Sequence, residues 1–168
     1  MRPLLTLLLI TLAIPVQTHL FSRFPFSFPL DLALIVTYYY GYFHGMTRGM
    51  VVGAYLGILT DVLSGELLGT QIFLKTLVGY FSALFGSGIL SKDLPIHFLL
   101  LVLLSLMNGL LNFFLINLFG ESVPFRDAML RMILPSAGWN ALAGSLFLYM
   151  SQKRLLKQRS MEVQENGE

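Results

Sequence analysis

The chain has 168 residues, 55% of them hydrophobic and 12% charged, with a formal net charge of +2. Ordinary soluble domains carry about a quarter charged residues, so this composition cannot build a water-facing surface around its apolar content, and the length allows one domain. The small net charge, without a basic stripe interleaved with aromatics, excludes nucleic acid as a partner, and the absence of cysteine excludes disulfides, thiol catalysis and cysteine-ligated metal.

A membrane-crossing helix needs about 20 mostly apolar residues. The first apolar run is 4–20, after Arg2. It could be misread as a signal peptide, but its end, AIPVQTH, lacks a small-x-small cleavage site and more apolar runs follow. Residues 21–29, FSRFPFSFP, alternate aromatics with two prolines and predict an interfacial loop. Runs 30–46 and 49–63 are each short for a span, yet their thirty-four residues are too many for one crossing at a rise of 1.5 Å each. Two helices with a tight turn near Arg48 satisfy both limits. After the turn at Ser64, Gly65 and Glu66 comes run 67–90, then the loop SKDLP. Run 96–119 is the most apolar, GESVPFRD forms a loop, and run 128–150 contains Arg131 and Pro135. The tail 151–168 is polar and is expected to lose helical structure after a turn or two. The expected fold is all-α: a polytopic membrane protein with six spans in a single domain, 1–150, followed by a cytoplasmic tail.

Orientation follows from lysine and arginine in short loops. With six spans, Arg2, Arg48, Lys92, Lys153, Arg154, Lys157 and Arg159 share one side, against Arg23 and Arg126 on the other. This places both termini in the cytoplasm. A five-span arrangement, with the second or third run re-entrant, would break that agreement.

Inside the runs, Gly41, Gly45, Gly49, Gly53 and Gly57 recur every four residues. Such spacing lets helix backbones approach closely in a membrane. Gly49, Gly53 and Gly57 share one face, which either packs within the molecule or docks a partner's membrane helix. Asp61 ends the same run, where charge is costly unless paired or hydrated, and Gly65 and Gly69 suit a tight turn. The next run places Gln71, Lys75, Gly79, Ser82 and Gly86 on one narrow face. Across the turn, Asp61 and Lys75 are expected to approach each other; alternatively Lys75 snorkels alone to a headgroup. Further on, Ser105, Asn108 and Asn112 share a face, with Asn117 elsewhere, and the last run carries Arg131, Ser136 and Asn140. These polar groups either bond across helices or line a small cavity.

Enzyme chemistry is not legible. His19, His44 and His97 lack a second ligand at i+3 or i+4, so no metal site is expected. There is no GxSxG elbow, P-loop or GxGxxG, and Asp61 lacks the second in-membrane carboxylate of an aspartyl dyad. No cofactor is implied, and active transport would need a separate motor subunit.

GILTDVLSGELLG, residues 57–69, followed by the pair Gly79 and Tyr80, resembles the MreD family of rod shape-determining proteins. Chain length, run count and basic tail are similar, so the resemblance extends over the whole chain, with 57–80 as its motif-like part. The resemblance implies a non-enzymatic scaffold in the bacterial inner membrane, in the cell-elongation machinery. It implies binding to MreC, a bitopic protein with a periplasmic domain. It further implies a link between MreB filaments and the peptidoglycan synthase RodA with its transpeptidase partner. The family is similar in fold to the S subunits of energy-coupling-factor transporters, which implies a second reading: a small-solute or lipid-binding subunit. Carried over, the motif marks Gly57, Asp61, Gly65 and Gly69.

Overall fold

The structure, a computed structural model, describes residues 30–64, 68–86, 93–119 and 124–165, with side chains as far as residue 150. The first run at 4–20, the loop 21–29 and Gly65 lie outside the described residues.

Every element among the described residues is helical. Helix α1 spans Leu32–His44 and is capped by Asp31, whose carboxylate accepts from the Leu34 N–H at 2.9 Å. It ends at Gly45, which adopts φ +90°. This left-handed conformation, easy only for glycine, reverses the chain in a single residue. Helix α2, Met46–Ser64, starts immediately. The turn therefore falls three residues before Arg48, which sits exposed in the first turn of α2. The arginine marks the polar end of the hairpin, whereas the reversal needs the backbone of Gly45.

Helix α3 spans Thr70–Gly86 and α4 spans Leu94–Phe119. Pro95 lies inside α4 rather than in the preceding loop, because a proline in the first helical turn forfeits an N–H that has no partner there. The last stretch comprises α5 (Phe125–Ala128), a π turn (Met129–Ile133) and α6 (Leu134–Glu165). The Leu134 N–H bonds to the Met129 carbonyl, the wider i to i−5 pattern, just before Pro135. The expected loss of helix in the tail is not observed: α6 runs on to Glu165. The segment SQKRLLKQRSMEVQE consists mostly of good helix formers and contains neither glycine nor proline.

Helices α1, α2 and α3 pack tightly as one group, and α4 pairs with α6. The two groups meet at Leu34, Tyr38, Val78, Leu101, Leu104 and Ala141. A 2.6 Å hydrogen bond joins the buried Tyr38 hydroxyl to His97 Nδ1, tying α1 to the start of α4. The exterior is apolar: Val51, Val62, Leu99, Phe114 and Leu142 all stand more than half exposed. Large contiguous apolar surface is rare on soluble monomers. Helices α2 and α4 are long and apolar enough to cross a membrane, yet only 28% and 22% of their apolar windows is buried. Core helices of a soluble protein would be mostly covered; these face outward, as lipid-contacting helices do.

Candidate functional site

The glycine seam faces inward. A methyl group added at Gly49 would lie 2.5 Å from the Gly41 Cα and 2.8 Å from the Gly79 carbonyl oxygen. At Gly57 it would lie 2.5 Å from the Ile72 Cα, and at Gly53 it would strike the Lys75 carbonyl. The three helices thus touch backbone to backbone at glycines, and the close approach is made by the chain with itself. Of the two readings of the glycine face, internal packing is the one this geometry provides, since α1 and α3 already fill it.

Asp61 is buried, but it does not meet Lys75. Its carboxylate instead caps α3: Oδ2 accepts from the Gly69 N–H at 2.9 Å and the Ile72 N–H at 3.3 Å, and Oδ1 from the Gln71 N–H at 3.0 Å. These are the orphan donors of a helix start, and a negative charge there also complements the helix dipole. Gly69 takes φ +99°, which turns its N–H toward the carboxylate. Asp61→Ala would strand three donors and should cost at least about 3 kcal/mol, given about 1–3 kcal/mol for each unsatisfied buried group. Asp61→Asn keeps one acceptor oxygen and should cost about 1 kcal/mol. Thermal unfolding in detergent, followed by circular dichroism, checks both; equal losses would rule out the charge-independent capping role.

The partner of Lys75 is Asp31. The ammonium, on a side chain 1% exposed, forms an ion pair with Asp31 Oδ2 and donates to Asn108 Oδ1 at 3.4 Å. Both sequence expectations for Lys75, pairing with Asp61 and snorkelling, are thereby corrected. The other carboxylate oxygen of Asp31 caps α1, so one residue closes a helix end and neutralises a buried cation. The signal was present in the sequence: an acid shortly after Pro29, at the start of an apolar run, reads as an N-cap. Gln71, Lys75, Gly79 and Ser82 are all buried, as their shared face predicts.

Beside this pair, between α4 and the stretch from the π turn into α6, lies a cavity of about 270 Å³ with Asp31 and Gln71 on its wall. Four of the chain's five asparagines, Asn108, Asn112, Asn117 and Asn140, line it, together with Gln71 and Asp31. Its apolar wall comes from Phe113 and Ile116 on α4 and Met132 and Ile133 of the π turn. Asn140 bonds across helices in both directions: its Oδ1 accepts from the Asp31 N–H at 2.7 Å and its Nδ2 donates to Ser105 Oγ at 3.2 Å. Asn112 Oδ1 is buried without a hydrogen-bond partner. Arg131 stays outside this polar interior: its side chain is 82% exposed, with Nε 3.8 Å from Asp127. The π turn rotates it outward, while Ile133 and Ser136 face the cavity. Among the described residues no three His, Asp or Glu side chains gather as metal ligands would.

An all-helical chain with an apolar exterior, glycine-to-glycine helix contacts and an ion pair sealed among its helices is a membrane protein. More specifically, the chain belongs to the MreD family: the family model for rod shape-determining protein MreD matches residues 2–158. That family is part of the MreB/MreC shape-determining system, which places the chain in the determination of cell shape. No curated protein and no solved structure matches the chain.

Proposed function

We propose that the chain is a non-enzymatic scaffold of the bacterial cell-elongation machinery, one that binds MreC in the membrane and supports peptidoglycan synthesis. The family match over 2–158 carries this reading. RodA and its transpeptidase partner are the synthases supported, and MreB is engaged indirectly. The chain crosses the inner membrane six times, in a single domain resembling the S-subunit fold, with both termini and the 151–168 tail in the cytoplasm. Two features favour a scaffold. The seam glycines lock α1, α2 and α3 together at backbone distance, giving a rigid body. The lipid-facing residues of α2 and α4 leave broad apolar surface for a partner's helix. Because the seam is filled from within, an MreC helix docks on that outer surface.

The test is a detergent pull-down of the tagged chain with MreC, wild type and with its membrane segment exchanged, and with RodA. Co-purification lost on exchanging the MreC helix supports the scaffold; recovery of neither partner removes it. The orientation is checked separately. The chain has no cysteine, so single cysteines at Arg126 and Lys153 report on their own surroundings. An impermeant maleimide should label Arg126→Cys in intact cells and Lys153→Cys only after lysis.

A further inference from the structure

We propose that the cavity between α4 and the stretch from the π turn into α6 is a binding site for an uncharged amphiphile, one presenting a hydroxyl or amide donor on a compact apolar body. The amides are concentrated there: four asparagines and Gln71 line a single space, although the rest of the described chain holds no other asparagine. Cross-helix bonding accounts for Asn140, and Asn117 donates to the Phe113 carbonyl. It does not account for Asn112, whose Oδ1 is buried and unpartnered. A buried acceptor left without a donor is costly, and Asn112 is on the wall of a space that a donor could enter.

The charge pattern selects the ligand class. The one carboxylate at the wall, Asp31, is already neutralised by Lys75. The Lys75 ammonium itself takes the place between Asp31 and Asn108 where a bound cation would sit. No unpaired cation lines the cavity among the described residues, so anionic headgroups find no counter-charge. Side-chain amides both donate and accept, which suits hydroxyl and amide groups. Phe113, Ile116, Met132 and Ile133 supply the apolar wall. A volume of about 270 Å³ is just below the roughly 300–1,000 Å³ of drug-sized pockets, which restricts the site to a small ligand or part of a larger one. The π turn contributes two of those wall residues, and such turns recur at functional sites. The lining runs along α4 from Asn117 to Ser105, roughly 18 Å of helix, so the site reaches from one end of α4 to its middle. This geometry admits a lipid entering from the bilayer or a soluble compound entering from the helix ends.

The full chain in phosphatidylcholine nanodiscs is titrated with a monoacylglycerol carrying a diazirine on its acyl chain, and labelled peptides are mapped after illumination. Saturable labelling is expected within 105–117 and 132–140. Unlabelled monoacylglycerol should displace it if the source is a lipid; 1,2-hexanediol should displace it if the source is soluble. Lysophosphatidic acid with the same acyl chain should fail to compete. Asn112→Leu should weaken apparent affinity about tenfold, the equivalent of one hydrogen bond to the ligand. Ile116→Phe, which only thickens the wall, should weaken it as well and keeps the test informative if Asn112→Leu does not fold. Non-saturable label spread over α2, label unchanged in both variants, or equal displacement by the anionic lipid overturns the proposal.

Discussion

Asp31→Asn is expected to destabilise the protein more than Lys75→Met, although the two remove opposite ends of one ion pair. The asymmetry follows from exposure. The Lys75 side chain is 1% exposed and the Asp31 side chain 28%. Losing the carboxylate strands an ammonium deep among helices, and removing one partner of a buried pair costs about 3–5 kcal/mol. Losing the ammonium leaves a carboxylate that reaches the cavity and still accepts from the Leu34 N–H. That loss should cost about 1.5–3 kcal/mol, the range of a hydrogen bond to a charged group. The double variant Asp31→Asn/Lys75→Met should lose less than the two single losses added together, by a coupling of about 2–3 kcal/mol. Thermal unfolding of the four proteins in one detergent closes the cycle. Equal single losses that simply add would show that the pair contributes no coupling. The pair also fixes register. Lys75 on α3 reaches the cap of α1 and Asn108 of α4 from one atom, so the variants should broaden side-chain NMR resonances at that junction before they unfold the helices.

Asp61 and Lys75 lie fourteen residues apart across a short turn, so proximity in sequence favoured them. What decides the outcome is the hydrogen-bonding capacity of Asp61, which the first N–H groups of α3 consume. The same motif, an acid followed by glycines and then a helix, could have been read as a cap. Asp31 is 44 residues from Lys75, and only the three-helix arrangement brings them together. Helical spacing did place Gln71, Lys75, Gly79 and Ser82 on one buried face, and Ser105, Asn108 and Asn112 along one wall of the cavity. Whether two polar faces enclose space depends on the angle between the helices carrying them. Here the π turn just before Pro135 supplies Met132 and Ile133 to the cavity wall. The turn at Gly45 has a similar logic: Arg48 shows where the hairpin meets polar surroundings, but only a residue free to adopt φ +90° can reverse the chain.

The glycine seam yields the other large effect. Gly53→Leu should cost at least about 3 kcal/mol, whereas Gly138→Ala, at one of the few glycine positions with open space around it, should be neutral or slightly stabilising. At Gly53 even a Cβ meets the Lys75 carbonyl, which is backbone and cannot rotate aside. Overpacking typically costs about 1–3 kcal/mol where side chains can yield, and here they cannot. The helices must separate, and that separation also pulls Lys75 away from Asp31, so the penalty combines lost contact with a weakened ion pair. Gly57→Ala tests the seam away from the Lys75 ion pair: its Cβ would meet the Ile72 Cα and N and the Gln71 carbonyl, and so also presses on the N–H groups that Asp61 caps. At Gly138 an added methyl group would meet nothing within 4 Å, and alanine gains about 1 kcal/mol of helix propensity there. Unfolding midpoints in detergent rank the three. A Gly53→Leu protein as stable as wild type would mean that α2 and α3 are not in backbone contact. A stable Gly53→Leu protein that nevertheless loses MreC would return the seam to the role of a docking face.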